Sequence, residues 1–185
     1  MHVRHFLASV LFMAVLISFP LQADQNHQRL PGLFDLLAES DNPSDSQRYQ
    51  NEIWLLWLQS GRPDIDALMT EGVQAMNTRA FDTALAIFDE IVEKMPDFAE
   101  GWNKRATVYY LRNEYGESMR DIQRTLALEP RHFGALSGMG LIFIETGDTQ
   151  AAIKAFTEVL QIDPQSLSAK YHIELLKKQQ QENAV

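Results

Sequence analysis

Cysteine is absent from the 185-residue chain. Its absence excludes disulfide bonds, thiolate zinc sites, iron–sulfur clusters and cysteine nucleophiles. Basic residues are also few: 16 Lys and Arg stand against 25 Asp and Glu, for a formal net charge of −9. Because nucleic-acid-binding proteins usually carry a basic patch or a basic overall charge, this balance argues against binding to DNA or RNA. Hydrophobic residues make up 45% of the chain, which suffices for a globular core.

Catalytic and metal-binding motifs are missing as well. The sequence contains no GxSxG, HExxH or SxxK arrangement. Beyond the first 23 residues the histidines are His27, His132 and His172, which are far apart and lack the spacing of metal ligands on one helix. The glycines within 134–140 fall inside an expected helix, so they do not form a phosphate-binding loop. We therefore predict no enzymatic activity, no cofactor and no metal site.

The first 23 residues have the pattern of a secretory signal peptide. Arg4 precedes an apolar run over 6–19, Pro20 ends that run, and Leu21-Gln22-Ala23 resembles a cleavage site. The run is shorter than the roughly 20 residues that a membrane-spanning helix needs. A cleaved signal peptide over 1–23 is therefore favoured, with an N-terminal membrane anchor as the alternative. We expect a periplasmic or secreted protein that is not attached to a membrane after cleavage.

A 34-residue period runs through the rest of the chain. Pro96, Pro130 and Pro164 are evenly spaced, and each ends a segment with the apolar spacing of an amphipathic helix. Aligning the chain on these prolines gives three blocks of equal length: 65–98, 99–132 and 133–166.

The blocks share small residues at two places and a large apolar residue at a third. Two antiparallel helices must approach closely, so small side chains are expected where the helix axes cross and large ones beside them. Repeats of this kind bury their apolar faces by stacking on one another. The eighth, twentieth and twenty-fourth places hold, in order of the blocks, Gly72, Ala106 and Gly140; Ala84, Ser118 and Ala152; and Phe88, Ile122 and Phe156.

This period and residue pattern resembles the tetratricopeptide repeat (TPR) family over 65–166. The resemblance implies an all-α, right-handed superhelical solenoid of helix-turn-helix repeats. It also implies a non-enzymatic protein–protein interaction module. Together with the signal peptide, it predicts a periplasmic adaptor or scaffold that binds a peptide or a helix of an envelope protein in its concave groove.

In solenoids of this family the first helix of each repeat lines the groove. The small residues Gly134, Ser137 and Gly138 leave a depression there, which either admits a partner side chain or is filled by a neighbouring helix. Some family members hold a peptide carboxylate with Lys, Asn and Arg side chains; only Asn103 and Lys104 match part of that set, so we do not predict carboxylate capture. The resemblance implies these partner-binding residues: Met69, Val73, Met76, Asn103, Lys104, Thr107, Tyr110, Ser137, Leu141 and Ile144.

Residues 24–63, before the blocks, are predicted to form a helical hairpin or a degenerate repeat. Its helices are expected at about 30–39 and 44–60, with Ser44 as the N-cap of the second. The second helix carries an apolar stripe with two interpretations. The favoured one is that the stripe covers the open N-terminal face of the first repeat. The alternative is a structural assembly subunit that self-associates, as a homo-oligomer, through this Trp-rich helix. The stripe consists of Trp54, Leu55, Trp57 and Leu58.

Residues 167–185 are predicted to form a capping helix and a tail. Repeat arrays end in caps with a polar outer face, so the apolar residues of this helix are expected to pack back on the third block. Those residues are Leu167, Tyr171, Ile173, Leu175 and Leu176.

The seventh place of a block, usually Leu in this family, holds Glu71 in the first block and Arg105 in the second. Equivalent places of adjacent repeats lie next to each other. Two interpretations are open: Glu71 and Arg105 form an ion pair inside the solenoid, or each extends its charged end to the rim.

Overall fold

The computed structural model of the protein describes residues 24–182. The predicted signal peptide lies outside these residues. A short 3-10 helix (Asp24–Asn26) is followed within this range by nine α-helices and no strand, so the predicted all-α class is confirmed. The helices are α1 (Leu30–Ala38), α2 (Pro43–Trp57), α3 (Pro63–Asn77), α4 (Phe81–Lys94), α5 (Ala99–Leu111), α6 (Tyr115–Leu128), α7 (Phe133–Glu145), α8 (Thr149–Ile162) and α9 (Leu167–Glu182).

Helices α3–α4, α5–α6 and α7–α8 form three helix-turn-helix units. Their turns contain the same backbone conformation at 34-residue intervals, with φ of 62° at Arg79, 61° at Asn113 and 80° at Gly147. Residues other than glycine enter this left-handed region at a cost of about 1–2 kcal/mol. Its recurrence at three equivalent positions shows that one local structure is repeated.

Small residues lie where the two helices of a unit cross. A Cβ atom on Gly72 would lie 2.6 Å from Cε1 of Phe88, and one on Gly140 would lie 2.7 Å from Cζ of Phe156. In the middle unit the Ser118 hydroxyl donates to the carbonyl of Ala106 at 2.8 Å. The close packing predicted for the eighth, twentieth and twenty-fourth places is therefore present.

Neighbouring units share one core, as in a solenoid. Phe98 and Val108, at the second unit, are buried in the cluster formed by α3 and α4. Ala135 and Ile142 of α7 are buried against Ala106 and Ile122 of the second unit. Each unit thus covers the apolar face of the unit before it.

Helix α2 begins one residue earlier than predicted. Asn42 is its N-cap: the Asn42 side chain accepts a hydrogen bond from the backbone N–H of Asp45 at 2.9 Å, and Pro43 occupies the first helical position. The prediction of Ser44 as the N-cap was wrong. Helix α2 ends at Trp57, so it is shorter than the helix predicted over 44–60.

The α1–α2 hairpin packs on the third unit, not on the first. Trp57 of α2 and Phe34 of α1 share a buried cluster with Phe133 and Phe156 of the third unit. Of the predicted apolar stripe, only Leu58 contacts the core of the first unit. The prediction that this stripe covers the N-terminal face of the first repeat was wrong, and the hairpin is not a degenerate repeat stacked in front of it.

The first unit needs no cover because its outer face is polar. Phe98, the residue before α5, and Val108 of α5 face the preceding unit and are buried. At the equivalent places, 34 residues earlier, α3 exposes Asp64, Ala67, Glu71 and Gln74.

The N-terminal segment crosses the turns that join successive units. Gln25 donates to the backbone carbonyl of Asp97, in the turn between the first and second units. At the last such turn, the carboxylate of Asp163 accepts from Ser46 Oγ at 2.9 Å and from Gln50 Nε2 at 2.6 Å. At the turn between the second and third units, Trp57 stacks on His132. The segment therefore ties three turns together along one edge of the solenoid.

Arg105 does not pair with Glu71. Its guanidinium donates to both carboxylate oxygens of Asp121, at 2.7 and 2.8 Å, and to Asp89 at 2.7 Å. Glu71 is exposed on the outer face of α3. The proposed Glu71–Arg105 pair was wrong, because the acids that reach Arg105 come from α4 and α6.

Helix α9 packs on the third unit with only part of the predicted face. Ala169 and Leu176 are buried and Ile173 is packed against the same cluster. The other three predicted residues were assigned wrongly: Leu167, Tyr171 and Leu175 are 65%, 62% and 38% exposed. Among residues 24–182, no helix has the length and apolar character required to cross a membrane.

Candidate functional site: a cavity in the groove

A cavity of about 190 Å³ opens between α5 and α7, with α6 beneath it. Five predicted groove residues line it: Asn103, Thr107, Tyr110, Ser137 and Leu141. Beneath and between them are Ala106, Ser118, Ile122, Gly134, Ala135 and Gly138.

The cavity exists because Gly138 has no side chain. A Cβ atom at Gly138 would lie 3.4 Å from Cδ1 of Ile122, so the space above Ile122 stays open. In α9 the equivalent place holds His172, whose ring stacks on Phe156 with centroids 4.7 Å apart. The space between α7 and α9 is therefore filled.

Three hydroxyl groups around the cavity already donate hydrogen bonds to backbone carbonyls. Thr107 donates to the carbonyl of Asn103 at 2.9 Å, and Ser137 donates to the carbonyl of Phe133 at 2.8 Å. Ser118 is bonded to Ala106. Hydroxyls that already donate to backbone carbonyls offer little to a ligand, so the lining is apolar in character.

The size of the cavity suits one side chain. Pockets for small molecules usually measure about 300–1,000 Å³. Tyr110 forms one wall, with its ring 5.8 Å from that of Tyr115. Burial raises the pKa of Tyr110, so its hydroxyl stays neutral. The site can accept a bulky apolar side chain beside an aromatic ring.

The cationic group at the edge of the groove is already paired. The Nζ of Lys104 lies 2.8 Å from Oε1 of Glu100, an ion-pair contact without hydrogen-bond alignment, and Glu100 is 1% exposed. Glu100 Oε2 also accepts from Asn103 at 3.0 Å. Lys104 and Asn103, the two residues that match part of a carboxylate clamp, are thus both engaged by Glu100.

His132 completes this buried network. Its Nδ1 accepts the backbone N–H of Ala135, so the proton on Nε2 faces Glu100 at 2.9 Å. Burial alone would raise the pKa of the Glu100 carboxyl, but the charge of Lys104 and the hydrogen bond from His132 outweigh it and hold the pKa below its ordinary value. Glu100 therefore remains ionised and keeps Lys104 in place.

A tryptophan fills one end of the predicted depression. The ring of Trp54 lies over Gly134, where a Cβ atom would be 2.6 Å from Cη2, and Lys104 Nζ is 5.0 Å from the ring centroid. The depression is therefore divided: a neighbouring helix fills the space at Gly134, whereas the space at Ser137 and Gly138 stays open. No pattern in the sequence linked Trp54 to this site.

The remaining predicted groove residues lie away from the cavity. Met69 is 3% exposed and belongs to the core of the first unit, so its assignment to an open groove was wrong. Val73 and Met76 are partly buried against that same core. Ile144 packs against the cluster around the third unit.

The two glycines on α7 should respond oppositely to alanine. Alanine favours a helix over glycine by about 1 kcal/mol at either place. At Gly138 the new methyl group fits, so Gly138→Ala should stabilise the protein slightly. At Gly134 it would collide with Trp54, so Gly134→Ala should destabilise it by about 1–3 kcal/mol. Thermal unfolding and hydrogen exchange in α2 would measure both effects; equal behaviour of the two variants would contradict the docking of Trp54.

Within 24–182, no group of three or more histidine or acidic residues has a geometry suited to a metal ion. The groove around the cavity presents apolar surface, hydroxyls bonded to backbone carbonyls, and a lysine paired with Glu100. Such a surface binds by shape and apolar contact.

Comparison with known proteins agrees with this architecture. A family model of the tetratricopeptide repeat matches residues 114–166. A TPR repeat-containing protein of Rhizobium etli is 39% identical over 149 residues, which cover 80% of this chain and 73% of that protein. The chain belongs to the tetratricopeptide repeat family. It spans a smaller share, 28%, of a second relative, the small glutamine-rich tetratricopeptide repeat-containing protein 2 of Saccharomyces cerevisiae, at 24% identity.

Solved structures share the fold. The TPR domain of Sgt2 from Aspergillus fumigatus superposes with a TM-score of 0.62 at 21% identity, covering 66% of this chain and 83% of that domain. The first TPR domain of Spaghetti, bound to an HSP90 peptide, has a TM-score of 0.59 at 18% identity and covers 62% of this chain and 90% of its own. The solenoid prediction is confirmed, and the chain is a protein–protein interaction module by fold.

Proposed function

We propose that the protein is an exported adaptor that binds a peptide or a helix of an envelope protein in its concave groove. One bulky apolar side chain of the partner enters the cavity between α5 and α7. The observation that carries this proposal is the open space above Ile122, created by Gly138 and lined by Tyr110 and Leu141. Export rests on the signal-peptide pattern of residues 1–23.

An apolar anchor would distinguish this groove from one that binds the charged terminus of a peptide. Two similar structures are complexes: the Spaghetti domain with an HSP90 peptide, and the TPR2B domain of yeast Sti1 with pHsp70. In this chain Lys104 is paired with buried Glu100. A partner carboxylate would have to compete with Glu100, so we assign recognition to an apolar residue of the partner.

The alternative function was self-association through Trp54 and Trp57, but both rings pack within the same chain. Trp57 is 1% exposed, and Trp54 packs on Gly134 and Phe133 of the same chain. Neither ring is available to a second copy unless the hairpin detaches.

Filling the cavity should weaken partner binding. A photo-crosslinking residue at Ser137 would identify the partner in cells, and its affinity would then be measured by calorimetry. We expect Gly138→Leu to weaken binding at least about tenfold, because the leucine occupies the space of the anchor.

Gly116→Leu is the matched control. Gly116 is also a helical glycine, but it is exposed on α6, and a Cβ atom on it would have no neighbouring atom within 4 Å. It should bind the partner as the unmodified protein does, and both variants should keep their helical circular dichroism. Unchanged binding by Gly138→Leu would show that the cavity is not the site.

A further inference from the structure

Exposed apolar side chains are concentrated on α9. Six large hydrophobic residues are exposed among those that the structure describes, and three of them are Leu167, Tyr171 and Leu175. Their spacing of four residues places them on one face of the helix. We call these three residues the α9 stripe.

The two ends of the solenoid differ in this respect. Terminal repeats normally present a polar outer face to water. The first unit does so, with Asp64, Glu71 and Gln74 exposed on α3. The last helix instead exposes the α9 stripe. A contiguous exposed apolar surface of this kind marks an interaction site.

We propose that the α9 stripe is an interface with a second copy of this chain, formed by two antiparallel α9 helices related by a two-fold axis. A two-fold interface requires a patch that is complementary to itself. A shallow depression on α9 is lined by Tyr171, Glu174, Leu175 and Lys178. These are two apolar residues, one acid and one base, so the patch meets that requirement.

The charges fit a pairing centred between Glu174 and Leu175. In an antiparallel pair, residues whose numbers have the same sum face each other. Tyr171 then lies opposite Lys178 of the second copy, which favours a cation–π contact. Glu174 lies within one turn of that same lysine. By the same rule Leu175 faces Glu174 of the second copy, and the two Leu175 side chains, offset by one residue, meet beside the axis.

Other arrangements of two copies are less favourable. Head-to-tail stacking would place the α9 stripe on the outer face of α3, against Asp64 and Glu71. Burying carboxylates against apolar side chains without partners is costly. The Trp-bearing face of α2 is already used within the chain.

Sedimentation velocity of the protein from an export-competent host would test the interface. We expect a concentration-dependent dimer with twice the monomer mass. Tyr171→Glu and Leu175→Glu should raise the dissociation constant of the dimer at least about tenfold. Both side chains are exposed, so the fold should be retained. Leu55→Glu, at a leucine of α2 that is 61% exposed, is the matched control and should leave the dimer intact.

Charge exchange would test the antiparallel pairing itself. Glu174→Lys and Lys178→Glu should each weaken the dimer because like charges meet across the axis, and the double variant should recover it. A protein that is monomeric throughout, a dimer that survives Leu175→Glu, or a double variant without recovery would each overturn the proposal. Gly138→Leu should not alter dimerisation, so failure here is distinguishable from failure of the proposed groove function.

Discussion

Replacing Arg105 with leucine should lower the free energy of unfolding by about 3 kcal/mol. Arg105 is held by two hydrogen bonds to Asp121, whose side chain is 6% exposed. Leucine would leave that carboxylate buried without its partner, and removing one member of a buried ion pair is costly for this reason. The bond to Asp89 contributes little, since Asp89 is 55% exposed. Chemical denaturation monitored by circular dichroism would measure the loss.

Two further variants define the cause. Glu71→Leu, at the equivalent place of the first unit, should change stability by less than about 0.5 kcal/mol because Glu71 is exposed. Replacing both Arg105 and Asp121 with leucine should recover part of the loss, since no unpaired charge remains. If Arg105→Leu alone were neutral, the pairing with Asp121 could not be structurally important.

The same residue shows how far the repeat pattern could predict a contact. The 34-residue alignment correctly marked the charge at the seventh place of the second block as unusual. It suggested the wrong partner because it compared equivalent places only. Arg105 lies where α4, α5 and α6 meet, and its two partners are each 16 residues away in sequence. Acidic residues 16 positions before and 16 positions after Arg105 in the sequence could have indicated these two partners.

The repeats themselves were predictable because their contacts are local and recur. Gly72 and Phe88, for example, meet within one helix-turn-helix unit, and Gly140 and Phe156 repeat the same contact. A period of this kind reports the packing of each unit on the next. The positions of α3 to α8 followed from it.

The docking of the hairpin was not predictable in this way. Trp57 and His132 are far apart in the sequence and belong to segments with no shared period. Their contact depends on where the turn that holds His132 lies in the folded solenoid. It also depends on Gly134, whose lack of a side chain makes room for Trp54. Both are properties of the assembled solenoid. The two tryptophans of the stripe on α2 were correctly identified as packing residues but assigned to the wrong unit, whereas Leu55 is exposed.

The groove was predictable in part for a related reason. Family resemblance indicated which helices face the groove, and five of the ten predicted residues line the cavity. Whether a cavity forms depends on small residues between the helices, such as Gly138, whose equivalent place in α9 holds His172. The pairing of Lys104 was not predicted, although its partner, Glu100, lies one helical turn earlier and is buried.

Replacing Trp57 with alanine should have the largest effect of any single substitution in the hairpin, about 3–5 kcal/mol. Trp57 is 1% exposed; its ring stacks on His132 with centroids 4.1 Å apart and contacts Phe133 at 5.0 Å. Alanine would leave a cavity between α2 and the third unit. Hydrogen exchange should show loss of protection in α1 and α2, with α3 and α4 remaining protected, because the core of the first unit is separate from the cluster that contains Trp57.

Trp57→Phe separates the packing of the ring from its polar group. The indole N–H of Trp57 is buried without a hydrogen-bond partner, which itself costs about 1–3 kcal/mol. Phenylalanine keeps an aromatic ring over His132 and removes that N–H, so Trp57→Phe should lose less than half as much stability as Trp57→Ala. Leu55→Ala, at an exposed position of the same helix, should be close to neutral. A loss below about 1 kcal/mol for Trp57→Ala would mean that the hairpin is not held to the solenoid by this ring, because a large buried aromatic side chain cannot otherwise be removed so cheaply.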